Sequence, residues 1–232
     1  RCLIALAAAG VGHAHAEGRA GDPTEAASPW RAGGIAKADV LHGRQIGDSA
    51  VGYLGLRADA DAAMLFGWRD TALHAELLWT GGGKPNRRLG STQGISNLEV
   101  AEGSARIYAT WIEHRVAASD TSVLLGLYDI NSEFYVTDAS GLLIHPSFGI
   151  GIDFSQSGRN GPSIFPNLGL ALRAKQPLGA DGHYVQAAVV DGVPGDPARP
   201  GRTSLRLSRN EGALLVAEAG WQASTDAAAG SD

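Results

Sequence analysis

The sequence predicts an all-β protein, and three observations carry that prediction. Short segments alternate apolar and polar residues with the period of two that a β-strand requires. The 232 residues include 32 glycines but only one methionine, which suits turn-rich β-structure better than helix. No internal run approaches the ~20 consecutive apolar residues of a transmembrane helix. The mean hydropathy of −0.06 still fits a transmembrane barrel, because barrel strands need only alternate apolar positions.

The N-terminus predicts export. Arg1 precedes the apolar run Leu3 to Ala9, and Ala14-His15-Ala16 has the A-x-A form of a signal-peptide cleavage site. We therefore interpret residues 1–16 as a signal-peptide remnant and residues 17–29 as a flexible mature N-terminus. A short apolar helix in a soluble protein is the alternative. The one cysteine, Cys2, cannot form an internal disulfide, and barrels closed by hydrogen bonds need none.

Nine candidate strands follow, each bounded by turn residues. In chain order they are Gly34 to Leu41, Ser49 to Asp59, Thr71 to Thr80, Ser104 to Val116, Thr121 to Tyr128, Asn167 to Gln176, His183 to Val190, Thr203 to Ser208 and Ala213 to Trp221.

The best of these strands have one uniformly apolar face. In Ser104 to Val116 the apolar set Ala105, Ile107, Ala109 and Trp111 opposes Arg106, Tyr108, Thr110 and His114. In Asn167 to Gln176, Leu168, Leu170, Leu172 and Ala174 oppose Arg173 and Lys175. The tryptophans Trp79, Trp111 and Trp221 fall near strand ends on the apolar face, as a membrane aromatic girdle requires. A β-sandwich has the same alternation with its apolar face turned inward, so the pattern alone leaves both folds open.

The predicted connections differ in length. Ala117 to Asp120, Pro177 to Gly182 and Arg209 to Gly212 are short, whereas Gly81 to Gly103, Asp129 to Pro166 and Asp191 to Arg202 are long. Short turns at one end and long loops at the other are typical of outer-membrane barrels.

Three segments in or beside the longest predicted loops have distinctive sequences. They are GLYDINSEFYVTDASG (126–141), FGIGIDFSQSGRNGPSIFP (148–166) and DGVPGDP (191–197). In this order they closely resemble the carbohydrate-selective porins of the OprB family, and the resemblance extends from about Trp30 onward. It implies a transmembrane antiparallel up-and-down β-barrel, porin-like and monomeric, of about sixteen strands when complete. We interpret residues 30–223 as a partial barrel of about nine strands and residues 224–232 as a ragged end that marks a truncation.

The resemblance also implies a function and a set of partners. We expect an outer-membrane porin for passive diffusion of carbohydrates, with outer-membrane lipid around it and the outer-membrane assembly machinery as a partner. No enzyme activity and no cofactor are expected. A net charge of −5 argues against nucleic-acid binding. The predicted channel-lining residues are Arg106, Tyr108, Arg173, Lys175, Arg206, Glu76, Glu218, Asn131 and Glu133.

Three rival functions remain at this stage: a general small-solute porin, a secreted β-sandwich that binds carbohydrate, and a glycosidase that uses Glu133 and Asp153. The histidines His42, His74, His114, His145 and His183 are scattered without ligand spacing, so the sequence predicts no metal site.

Overall fold

The computed structural model describes residues 4–5, 28–90, 92, 94–136, 149–207 and 210–221. Its strands form one antiparallel sheet in which spatial order follows chain order. The strands are β1 (Ile4–Ala5), β2 (Trp30–Gly43), β3 (Gly47–Asp61), β4 (Thr71–Gly82), β5 (Ser104–Val116), β6 (Thr121–Tyr128), β7 (Gly169–Leu178), β8 (His183–Asp191) and β9 (Ala213–Trp221). Among the described residues the sheet is open.

The architecture confirms the predicted all-β, porin-like partial barrel. Each strand hydrogen-bonds to its neighbours in sequence, which is the up-and-down pattern. β5, β6 and β9 have the predicted bounds, and β2 extends the prediction at both ends to 14 residues. The two-residue β1 pairs with Val40 and Leu41 and lies within the predicted signal peptide. Cleavage of that peptide remains a prediction, and residues 222–232 lie outside the described residues.

One predicted strand, Thr203 to Ser208, is wrong. Residues 203–207 are irregular, and Ser208 lies outside the described residues. β8 pairs with β7 along one edge and with β9 along the other, from His183↔Trp221 to Asp191↔Ala213, so the segment between β8 and β9 cannot insert as a strand between them. Consequently the predicted turn Arg209 to Gly212 is the end of one long connection, residues 192–212.

The long connections all leave the same end of the sheet. They join β4 to β5, β6 to β7 and β8 to β9, whereas β5–β6 and β7–β8 turn tightly at the opposite end. In outer-membrane barrels the end with the long loops is extracellular. At the short end, β3 and β4 are joined through helix α1 (Ala62–Phe66), which the Asp61 side chain caps at Ala63 N. Helices α2 (Pro85–Leu89) and α3 (Ile152–Ser155) lie in the long connections.

The outer side of the sheet is an apolar exposed wall. Its exposed side chains include Leu56, Leu77, Ile107, Leu125, Leu172, Val189 and Leu215, with Trp79 and Trp221 near strand ends as predicted. The opposite, inner side holds the buried polar residues and two apolar clusters. A β-sandwich needs a second sheet packed on the first. The described strands form a single sheet, and loop residues rather than a second sheet pack on its inner side.

A β-bulge in β5 corrects the predicted faces of that strand. Ala75 pairs with Thr110, and Leu77 pairs with Ile107. Between these two pairs β5 therefore contains one residue more than β4. A bulge shifts the alternation by one. Arg106 and Tyr108 face the interior, but Trp111 does too, since its ring stacks on His74 with centroids 4.8 Å apart. The prediction of Trp111 on the outer face and Thr110 on the inner face was therefore wrong.

Candidate channel-lining site

The centre of the inner wall is an ion-paired cluster around Arg173. Its side chain is 4% exposed, and Nη2 lies 3.0 Å from Glu113 Oε1 and 2.8 Å from Glu133 Oε2. Nη1 donates to the Ser122 hydroxyl. Lys175 Nζ lies 3.6 Å from the second Glu133 oxygen. The guanidinium is thus surrounded by acceptors, and its positive charge is balanced locally.

Glu133 reaches this cluster because the loop after β6 folds inward. Asp129 accepts a hydrogen bond from Asn131 N at 3.0 Å and starts a 3-10 turn, Ile130–Ser132. Ile130 and Phe134 are 0% and 1% exposed and pack on Leu124, Ala171, Ala188 and Val190 of the inner wall. Burial of an aliphatic or phenyl side chain stabilises by about 1.5–3 kcal/mol. Burial of Ile130 and Phe134 explains why the segment 129–134, whose other residues are polar, lies against the inner side of the sheet.

Glu218 of β9 binds the next residues of the same loop. Its Oε2 accepts from Tyr135 N at 2.7 Å, and its Oε1 accepts from Tyr184 Oη at 2.9 Å and Gln186 Nε2 at 3.0 Å. Gln186 Nε2 also donates to the Glu133 carbonyl at 3.0 Å. The segment Glu133–Tyr135 is therefore attached to β8 and β9.

Four tyrosines on the inner wall each donate to a carboxylate. The pairs are Tyr53–Glu76 (2.9 Å), Tyr108–Asp129 (2.5 Å), Tyr184–Glu218 (2.9 Å) and Tyr128–Glu133. A phenol hydroxyl is neutral at pH 7, so each pair fixes an acidic side chain without cancelling its charge. Burial raises the pKa of Asp129 in the loop from its ordinary 3.8 to about 6, opposed by the bonds from Tyr108 and Asn131.

Arg106 lies apart from this cluster, toward the end with the long loops. Nη1 donates to Pro166 O, Asn167 Oδ1 and Pro200 O at 3.3, 3.0 and 2.7 Å, and Nε donates to Ser104 Oγ at 3.0 Å. Two long connections are thereby tied to β5. The residue is 8% exposed, so within the described chain its guanidinium meets backbone and side-chain oxygens rather than open lumen.

The structure therefore brings some of the predicted site residues together and separates others. Arg173, Lys175 and Glu133 are in direct contact, and Gln186 links Glu133 to Glu218. Tyr108 instead donates to Asp129, and Glu76 accepts from Tyr53. Asn131 stabilises its own turn by donating to Phe134 O at 3.2 Å. Arg206 lies on the irregular segment, 69% exposed, with Nη2 2.9 Å from Glu211.

The sequence-based prediction missed Glu113, Tyr128 and Tyr184 as members of the cluster. Glu113 was hidden by the bulge, which moves it to the inner face. Tyr184 precedes Gln186 by two positions in β8, so alternation alone identifies it as facing the same side. Its ring lies under Lys175 Nζ, 4.7 Å from the centroid.

No group of three or more His, Cys, Asp or Glu side chains among the described residues can hold a metal ion. No helix in the described segments is long and apolar enough to cross a membrane.

Comparison with known proteins decides the family. The profile of the carbohydrate-selective porin, OprB family, matches residues 47–231. The chain belongs to the OprB family. OprB proteins are channels of the Gram-negative outer membrane and not enzymes, so this chain is an outer-membrane protein, and its family gives no support to the glycosidase alternative.

A solved structure has the same fold. The high-pH structure of Pseudomonas putida OprB matches with a TM-score of 0.59 and 17% sequence identity. The match covers 85% of this chain and 47% of that one, so this OprB chain spans about half the length of its structural relative. The search of curated proteins found no match.

Proposed function

We propose that this chain forms part of the wall of a channel through which mono- and disaccharides diffuse passively across the outer membrane into the periplasm. Membership of the carbohydrate-selective porin family is the observation that carries the proposal. The inner wall adds the required chemistry, since hydroxyl-rich solutes need donors, acceptors and aromatic surfaces in place of water. Passive flux needs weak, millimolar-range contacts, because tight binding stops exit.

Within the predicted lining set, we infer that Lys175 and Glu133 contact sugar most directly. Their side chains are 28% and 25% exposed, whereas that of Arg173 beneath them is 4% exposed. Lys175 Nζ also lies over the Tyr184 ring, so a charged donor and an aromatic face are presented together. Arg106, Tyr108, Asn131, Glu76 and Glu218 support the wall and its loops, and Arg206 lies at the margin with Glu211.

Liposome swelling tests this function. Full-length protein reconstituted in liposomes is expected to admit glucose faster than maltose, and both faster than protein-free vesicles. Lys175→Gln is expected to change the ratio of the two rates, and the matched control Arg206→Gln is expected to leave it unchanged. Absence of swelling with every sugar would contradict the proposal.

A general small-solute porin is the second candidate, and one observation favours it. Arg173 and Lys175 are both paired with carboxylates, so the cluster of two cations and three acidic groups (Glu113, Glu133 and Glu218) is not electropositive. Equal swelling rates for sugars and for amino acids of the same size would support this candidate.

A further inference from the structure

The carboxylate of Glu218 links the inner wall to the inward loop. One oxygen accepts from Tyr184 and Gln186 of the wall, and the other accepts from the backbone of Tyr135 in the loop. A carboxylate accepting several charge-assisted hydrogen bonds is a strong and directional attachment. With its oxygens occupied in this way, Glu218 is poorly placed to bind a passing sugar.

The backbone at Tyr135 requires such an attachment. Its φ is +59°, in the left-handed region that a bulky non-glycine residue rarely adopts. The hydrogen bond to Glu218 is made by the N–H of this same residue at 2.7 Å. The Tyr135 ring is exposed and stacks on Phe154 of α3, with centroids 6.5 Å apart and planes 15° apart. The disfavoured conformation therefore directs an aromatic ring toward the later part of the same long connection.

A second attachment lies on the other side of Phe134. There the Glu133 side chain contacts Arg173 and Lys175, while the Glu133 carbonyl accepts from Gln186. The loop is thus fixed before and after its buried anchor, Phe134. Both attachments are on the wall strands β7, β8 and β9.

We propose that Glu218 is a positioning residue that sets how far the segment Glu133–Tyr135 projects into the lumen. It acts through the Tyr135 N–H and thereby determines the width of the channel and its preference among sugars. The selectivity part rests on the proposed carbohydrate function. The positional part does not, because it concerns only where the loop lies.

The decisive variant is Glu218→Gln in the full-length channel. The amide oxygen still accepts from Tyr184 and Gln186, but the amide NH2 meets the Tyr135 N–H, donor against donor. The matched control is Glu211→Gln, which removes the same charge from the segment just before β9, where Glu211 pairs with Arg206 outside the Arg173 cluster. Planar-bilayer recording then yields ion conductance and the sugar concentration that half-blocks it.

We expect Glu218→Gln to raise the half-blocking sugar concentration about 3- to 10-fold and to widen the spread of open-channel currents, since one charge-assisted hydrogen bond is lost. Glu211→Gln is expected to have little effect on the half-blocking concentration. Equal effects of the two variants would overturn the proposal in favour of simple charge. Glu218→Gln could instead lower the yield of folded channels and leave the single-channel currents and the sugar block unaltered. That result would overturn the proposal in favour of a purely structural role for Glu218.

A measurement without sugar separates this proposal from the proposed function. A spin label at Ser132→Cys, in a Cys2→Ser background, reports the mobility of the turn before the attachment. We expect the label to become more mobile in Glu218→Gln and not in Glu211→Gln. Unchanged mobility in both variants would contradict positioning, whatever the channel transports. Increased mobility in a channel that no sugar blocks would retain the positioning role and refute the carbohydrate function.

Discussion

Arg173 shows how a buried cation is tolerated on this wall. Desolvation opposes its charge, and the two carboxylates of Glu113 and Glu133 compensate for it. Sequence alternation predicted its inward position, but its partners come from β5 and from a loop more than thirty positions earlier in the chain. Such long-range pairing is not readable from periodicity, because it depends on where the loop folds.

Replacing Arg173 by methionine is expected to destabilise the folded protein by about 2–3 kcal/mol, since it leaves two partly buried carboxylates without their counter-ion. The measurement is urea unfolding in detergent, followed by tryptophan fluorescence. Arg206→Met is the control, because its side chain is 69% exposed and surface pairs contribute about 0–1 kcal/mol. Equal stability of the two variants would show that the Arg173 cluster is not stabilising.

Asp129 makes the folding stability of the protein depend on pH, and its raised pKa fixes the sign of that dependence. Burial raises that pKa from 3.8 to about 6. Between pH 3.8 and about 6 the folded state therefore holds a proton on Asp129 that the unfolded state has released. The contribution of this proton to folding stability is fully present below pH 3.8 and is lost as the pH rises through 6. We expect Asp129→Asn, which cannot ionise, to lose less stability than the parent between pH 4 and pH 7. Parallel stability curves for the two proteins would contradict this assignment.

At the scale of elements, the bulge in β5 organises the interior. It directs Trp111 and Glu113 inward after Tyr108, and Gly126 of β6 lies opposite Trp111. Gly126 has φ +153°, and an added Cβ would meet Thr110 O at 2.2 Å and Trp111 Cα at 2.5 Å. The close approach of the two backbones thus depends on the missing side chain.

Gly126→Ala is expected to separate β5 from β6 locally and to cost at least about 2 kcal/mol, since backbone atoms cannot yield as a flexible side chain can. Gly47→Ala is the matched control, because Gly47 also has a positive φ of +65° but nothing within 4 Å of the added Cβ. Its cost should be about 1 kcal/mol from backbone strain alone. Thermal denaturation in detergent compares the two, and a smaller loss for Gly126→Ala would contradict the close packing of this pair.

Most strands could be predicted from the sequence, because apolar and polar residues alternate wherever two strands pair without a bulge. β7 illustrates this, since Leu172 is exposed on the outer side and Arg173 is buried on the inner side, as predicted. Two failures have physical causes. The bulge in β5 leaves no recognisable pattern in the sequence, and Thr203 to Ser208 alternates well but cannot pair with β8, whose two edges are taken by β7 and β9. Pairing partners are a property of the whole sheet, so a local pattern cannot supply them.

For the whole molecule, the two faces of the sheet differ in polarity, as the wall of a membrane β-barrel requires. The outer wall presents apolar side chains, and the inner wall presents paired charges, tyrosine–carboxylate contacts and a folded loop. In lipid every backbone polar group must find an internal partner, so an open sheet has to close before it conducts. The family is that of the carbohydrate-selective porins, and the sugar contacts that we propose lie on this inner wall.

Planar-bilayer conductance of the full-length protein, with mono- and disaccharides titrated in, tests the central claim most directly. The account predicts discrete current steps that a sugar partly blocks in the millimolar range, because the contacts must be weak enough for exit. Lys175→Gln should raise the half-blocking concentration, since it removes the exposed cation over the Tyr184 ring. Absence of steps, or steps that no sugar diminishes, would contradict a carbohydrate-selective channel.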